Sequence, residues 1–278
     1  MPTTARTTTS AGAARQRLEE ARAATAQTFS ANKNAQASYG AQLRGLARQI
    51  TRIIQAFAPQ TPEEPYQPGQ VARIEQALAR YAEAIAPWAR TTAMRMVGEV
   101  NRRNKTSWRL YTEGMGRVLR QELQNAPIGL AVQQLMAEQV DLITSLPIDA
   151  AQHVHENVLR SLSLAGRPRE QVGEIQEALI ESYPTATEAW LRQRAMLIAR
   201  TETARVASVL TQARAQYVGA ESYVWKTAGD WKVRPSHQRL NGSVQQWSDP
   251  PLSDLPDYHS HPGQIFNCRC VALPIVNG

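Results

Sequence analysis

The chain is poor in the residues that build covalent scaffolds and aromatic cores. It has 2 cysteines in 278 residues, 3 phenylalanines and an aromatic content of 6%. So few cysteines exclude a disulfide-stapled secreted scaffold. Cys268 and Cys270 are also one residue apart. A bridge between them would close a very small strained ring, so a reducing compartment is expected. No apolar run approaches the ~20 residues of a membrane span. The polar, Thr- and Ala-rich start, residues 1–14, lacks the apolar core of a targeting signal and is expected to be disordered. A soluble protein with no membrane partner follows as the expectation.

What the chain has instead is Ala, Gln, Arg and Glu, a usage that suits long helices better than a sandwich or barrel. The net charge is +7, unevenly placed. Residues 1–125 carry 18 basic against 9 acidic side chains, residues 126–183 carry 3 against 8, and residues 221–278 are balanced. Most of the cations are arginine, which grips phosphate with two donors. A basic arm ahead of an acidic middle predicts a polyanion partner, with Arg44, Arg48, Arg52, Arg102, Arg103, Lys105 and Arg109 as the DNA-contact candidates. With no base-reading module in view, such contact would be non-specific and salt-sensitive.

Periodicity predicts a mainly α chain with a small C-terminal α+β domain. Residues 15–125 are expected to form a long basic helical hairpin. Its first helix runs over Arg15–Phe57, with Leu43, Leu46, Ile50, Ile53 and Phe57 on one face and Gly40 and Gly45 as weak points. Pro59, Pro62, Pro65 and Pro68 make the linker. Val71, Ile74, Leu78, Tyr81, Ile85 and Trp88 then follow heptad spacing, the seam of a helix packed on a helix, with a bend at Pro87 and helix resuming to about Gln124. Residues 126–185 are expected to hold short helices, Leu130–Thr144, Ile148–Ala165 and Arg169–Tyr183, separated at prolines. His153 and His155, two apart on one of them, point to different faces and are expected in solvent. Residues 186–278 form the last domain: a long helix to about Tyr217, then a small sheet with strands at 222–227 and 271–275, the latter at an edge because of Pro274.

The chemistry concentrates in the tail. Asp230-Trp231-Lys232-Val233-Arg234-Pro235-Ser236-His237 is followed by Leu240-Asn241-Gly242, by His261-Pro262-Gly263-Gln264, and by Asn267-Cys268-Arg269-Cys270. His237, His261, Cys268 and Cys270 offer a Cys2His2 set for zinc, with His259 as the other candidate for the second imidazole. The other reading is buried thiols packing as small hydrophobes. Asp230, Arg234 and His237 suit either acid–base work on a phosphodiester or a salt-bridge network that fixes a loop, and the network is the favoured reading. Glu202 and Arg205, on one helix face, are expected to complete this polar latch, with Glu202 bonded to Arg205, Arg234 or Arg269. No phosphate loop, nucleophile elbow or His-Glu-x-x-His run is present.

Taken in order, these segments and the preceding Ala199-Arg200-Thr201-Glu202-Thr203 resemble the C-terminal domain of the phage Mu F-like minor head proteins, over about residues 197–275. Lys232 stands where that pattern commonly has arginine, and Trp231 is unusual beside it. The resemblance implies a minor capsid protein of a tailed phage, without enzymatic activity. It implies a role in head morphogenesis and DNA packaging, with the portal protein, the major capsid or scaffold proteins and DNA as partners. The location implied is the virion head interior, and the host cytoplasm during assembly. A small nuclease or hydrolase centred on His237 is the alternative.

Overall fold

The computed structural model describes residues 28–276, apart from 31, 63, 68, 114, 165–173, 175, 176, 178, 179 and 255. The α-helices among the described residues include α1 (Lys33–Gln55), α2 (Gln70–Ala84), α3 (Ala86–Tyr111), α4 (Arg117–Asn125), α5 (Gly129–Leu164), α6 (Pro184–Tyr217) and the short α7 (Pro235–Leu240). The strands are β1 (Ser222–Lys226), β2 (Val244–Gln246), β3 (Leu252–Asp254), β4 (Tyr258–His259) and β5 (Val271–Ile275). The mainly α architecture with a small antiparallel sheet near the C-terminus is therefore as expected. None of the described helices is long and apolar enough to cross a membrane.

The chain divides into two compact units, each assembled from separated stretches. One holds residues 33–98 and 133–200, the other residues 1–32, 99–132 and 201–278. In the first, α1 buries Tyr39, Leu43, Leu46, Ile50 and Ile54 on one stripe and packs on α2, whose Ile74 and Leu78 are fully buried. The stripe runs through Ile54 and leaves Ile53 half-exposed, one position off the expected face. Gly40 is no break. It is buried inside α1, and a Cβ there would lie 3.4 Å from that of Ala199. Pro87 stands in the first turn of α3, where its missing N–H costs nothing, and the helix is interrupted just before it, between α2 and α3. A second interruption follows α3 ahead of Gly116, so helix does not run unbroken to Gln124.

Two expectations for this unit are overturned. Pro147 does not separate two helices but lies inside α5. Proline removes one backbone bond, yet Ile143, Leu146, Ala150 and Val154 are all buried on one side, and that burial carries the helix through. Side chains reach back to carbonyls just upstream, Thr144 Oγ1 to Val140 O at 3.0 Å and Ser145 Oγ to Leu142 O at 3.1 Å, a pattern that accommodates a bend. Nor are the two α5 histidines in free solvent. His153 stacks on Trp190 with ring centroids 4.3 Å apart, and His155 Nδ1 pairs with Glu75 at 2.5 Å. Charge pairing and an aromatic neighbour give each half-buried ring a partner. The helix expected over Arg169–Tyr183 lies largely outside the described residues, and the start expected to be disordered and residues 15–27 of the expected first helix lie wholly outside them.

The other unit carries the tail. Its sheet has the order β2-β1-β5, all antiparallel, so β5 is an edge strand and accommodates Pro274. The separate β3-β4 pair is a two-stranded ribbon. Along β1 alternate residues Tyr223 and Trp225 are fully buried. They join Phe29, Trp108, Ala215, Trp247, Ile265, Ala272, Leu273 and both cysteines in one core. Tyr111 donates to Pro274 O at 2.5 Å, tying α3 to β5. Between α3 and α6 lies a buried polar clamp: the Arg214 guanidinium donates to Asn104 Oδ1 at 2.5 Å and Asn101 Oδ1 at 2.8 Å, and Asn104 Nδ2 to Thr211 Oγ1 at 2.7 Å. Burial without a carboxylate partner pulls the Arg214 guanidinium down to about 10.

Candidate metal centre

Three elements bring the centre together. Pro235 opens α7, which turns His237 into the core at 2% exposure. Burial alternates through Cys268-Arg269-Cys270, just ahead of β5. Cys268 and Cys270 therefore point inward, and Arg269 between them points out to Asp230. The chain enters this segment through Asn267, at φ 57°, a left-handed conformation that asparagine tolerates, and the Asn267 N–H donates to Thr201 Oγ1 at 3.1 Å. Gly263 has φ 85°, and a Cβ there would press on Ala204 O, Cys270 O and Ser208 Cβ at 3.3–3.4 Å. Only glycine fits this turn, and its N–H donates to Cys268 Sγ at 3.3 Å.

Both sulfurs face the same ring nitrogen. His237 Nδ1 lies 3.6 Å from Cys268 Sγ and 3.4 Å from Cys270 Sγ. The three donor atoms all fall within 4.8 Å of one another, and all three residues are buried. A tetrahedral zinc with sulfur and nitrogen bonds of ordinary length separates those two donors by about 3.6 Å. The triad thus has the donor types and the spacing to hold a metal ion. Cys268 Sγ receives N–H donation from Gly263 and from Cys270, the latter at 3.4 Å. Hydrogen bonding from the Cys270 thiol, then from His237 and these N–H groups, outweighs burial and holds the Cys268 thiol far below its usual range. Its neighbour moves the other way: the adjacent Cys268 sulfur and burial push the Cys270 thiol up.

The histidines expected as the fourth ligand are engaged elsewhere. His261 Nδ1 bonds to Tyr223 Oη at 2.9 Å and Nε2 to Gln212 Nε2 at 3.4 Å, and its ring packs on Trp247. Burial lowers the His261 imidazole and raises the Tyr223 hydroxyl. His259, on the ribbon, donates to Pro250 O at 2.8 Å and faces Asp257. The centre supplies three protein ligands among the described residues.

The residues expected as one polar cluster make separate pairings. Asp230 does not orient His237. Its carboxylate takes a two-pronged contact from Arg269, at 2.5 and 2.6 Å, which holds the carboxyl below its usual range. Arg234 donates to Phe266 O at 3.0 Å and lies 3.5 Å from Asp254. Glu202 and Arg205 pair at 2.9 Å, as expected. Arg269, named from sequence as one possible partner of Glu202, grips Asp230, and neither that pairing nor the Asp254 partner of Arg234 was singled out from sequence. For Arg269, the burial of both flanking cysteines is what turns it outward to Asp230.

Residues 152–273 match the family model described as Phage Mu protein F like protein. The resemblance drawn from motif order holds over that stretch, and the match begins earlier, inside α5. A protein of Haemophilus influenzae (strain Rd), described as "Uncharacterized protein", is 32% identical over 156 residues, covering 56% of this chain and 32% of its own length. The chain therefore spans about a third of that relative. No solved structure matches.

The DNA-contact candidates lie on two helices. Arg44 is half-buried and Arg48 and Arg52 are exposed on α1, while Arg102, Arg103, Lys105 and Arg109 are exposed on α3. Arg102, Lys105 and Arg109, at steps of three and four, share one face of α3.

Proposed function

We propose that this chain is a minor head protein of a tailed phage or prophage, acting in head morphogenesis and DNA packaging. Its partners in this reading are the portal protein and other head proteins, and its place is the head interior, reached through the host cytoplasm. The match of residues 152–273 to the phage Mu F-like family carries the reading. The tail is the docking body, and zinc held by His237, Cys268 and Cys270 staples it; a small loop-rich domain gains folding free energy from such a cross-link. The α3 cations supply sequence-independent phosphate contact. Support for that role is their exposure, their common face and the lack of an ion pair for any of the three among the described residues. A structural rather than catalytic centre fits the burial of His237 and the engagement of Asp230 by Arg269.

The test has two arms. Purified virions or prophage particles are assayed for the protein by mass spectrometry, which should find it in heads and not in tails. Duplex binding is titrated at two salt concentrations with the Arg102→Ala, Lys105→Ala, Arg109→Ala variant. Loss of three phosphate contacts should flatten the salt slope by about three units. Absence from heads sinks the head assignment, and an unchanged slope sinks the α3 contact.

A further inference from the structure

Trp231 is 86% exposed, more than any other large hydrophobic side chain among those described. Yet the loop that carries it is tied down. Asp230 is gripped by the Arg269 fork and accepts the Lys232 backbone N–H at 3.1 Å. Arg234 fastens the far end to Phe266 O. The second loop is pinned in turn through Asn267 to Thr201. A rigid frame thus holds an indole in water. Phe266, 56% exposed, stands on the facing loop.

Each ring has a cation over one face: Lys232 Nζ lies 5.1 Å from the Trp231 centroid, and the Arg234 guanidinium 4.9 Å from that of Phe266. The carboxylates nearby, Asp230 on the first loop and Asp254 at the end of β3, are engaged by Arg269 and Arg234. With Lys232 over one face, the 86% exposed Trp231 indole keeps its other flat π face in water, and a positive charge lies across the ring. The core of a protein–protein interface is depleted in charge, and a ring hemmed by Asp230, Lys232, Arg234 and Arg269 would force desolvation of all four. A nucleotide brings both complements at once, a flat base and a phosphate. In a duplex the base faces are hidden, so the base must be unpaired.

We propose that the loops at 229–234 and 266–269 form a contact site for single-stranded nucleic acid, with Trp231 as the stacking platform and Lys232 as its phosphate contact. This site is separate from the α3 cations and does not depend on them.

The test uses the full chain and two fluorescent probes of about twenty nucleotides, oligo-dT and a duplex. Trp231→Ala should weaken oligo-dT binding about tenfold or more, the effect of losing one stacked base. It should leave duplex binding unchanged. Trp231→Phe should restore much of the loss, and binding of oligo-dT should quench the red-shifted indole emission, since the other described tryptophans are buried or half-buried. Lys232→Ala should lower the salt slope for oligo-dT by about 0.7. An unchanged oligo-dT affinity in Trp231→Ala overturns the proposal. So does the absence of oligo-dT binding by the wild-type chain, which would give the indole to a protein partner. Equal losses on both probes would also overturn it. Duplex binding through α3 stands or falls separately, because its own variant leaves Trp231 intact.

Discussion

The Nδ1 atom of His237 stands 3.4 Å from the sulfur of Cys270, close to the edge of a tetrahedron around a zinc ion. The two residues are 33 positions apart, so the contact cross-links the helix that ends the first loop to the segment leading into the last strand. If an ion sits there, purified protein should contain about one zinc per chain by mass spectrometry. The Cys268→Ser, Cys270→Ser variant should lose it, and a chelator should lower the wild-type melting temperature by about 5 °C or more, taking ~2–4 °C per kcal/mol for a chain of this size class. Metal-free protein that melts identically with and without chelator would reduce the triad to packing.

His261 should make the tail acid-sensitive. Burial lowers its folded pKa, so the unfolded chain binds the proton more readily. The contribution is therefore intact above the ordinary histidine value, about 6.5, and is lost as pH falls below it. The limiting slope is about 1.4 kcal/mol per pH unit for one proton. Denaturant titrations between pH 7.5 and 5 should show this slope in the wild type and a flatter one in His261→Asn. Parallel curves would discard the assignment.

Arg214 holds two asparagine carbonyls inside the same unit. Arg214→Met removes a costly buried charge and strands both acceptors, each worth about 1–3 kcal/mol. The net expectation is a loss of about 2 kcal/mol in urea unfolding. Arg214→Lys should recover little, because an ammonium cannot reproduce the fork. A neutral Arg214→Met would mean the clamp is dispensable.

Gly45 sits inside α1, and the nearest atom to an added Cβ is the flexible end of Arg48, 3.9 Å away. Gly45→Ala should therefore raise stability by up to about 1 kcal/mol, the helix-propensity difference. A drop in melting temperature would show that the backbone there needs glycine.

Sequence pattern carried a good deal of this. The α1 and α2 stripes, the proline linker, the α6 helix and the β1 and β5 strands follow from periods of 3.6 and 2, which burial enforces. His237, Cys268 and Cys270 were legible as soft ligands close to turns. What was not legible depends on spatial neighbours. His261 resembles a ligand in sequence, but its ring lies beside Tyr223 and Gln212. Pro147 signals a helix end locally, and only the buried residues on either side override it. Strands β2 to β4 have two or three residues each, too few for alternation to register. A reading along the chain yields contiguous segments, whereas compactness joins residues 99–132 to 201–278 across a long interval.

The alternation at Cys268-Arg269-Cys270 has a further consequence. Three consecutive residues serve opposite sides of one strand entrance, so the grip on Asp230 inherits its position from the two sulfurs that flank it. The outward display of Trp231 is thereby indexed to the interior: a shift of one residue in this segment would swap arginine for cysteine, bury a charge and release the indole loop in a single slip. Few places in the chain punish an error of register so heavily, and that penalty keeps the inside and the outside of the tail in step.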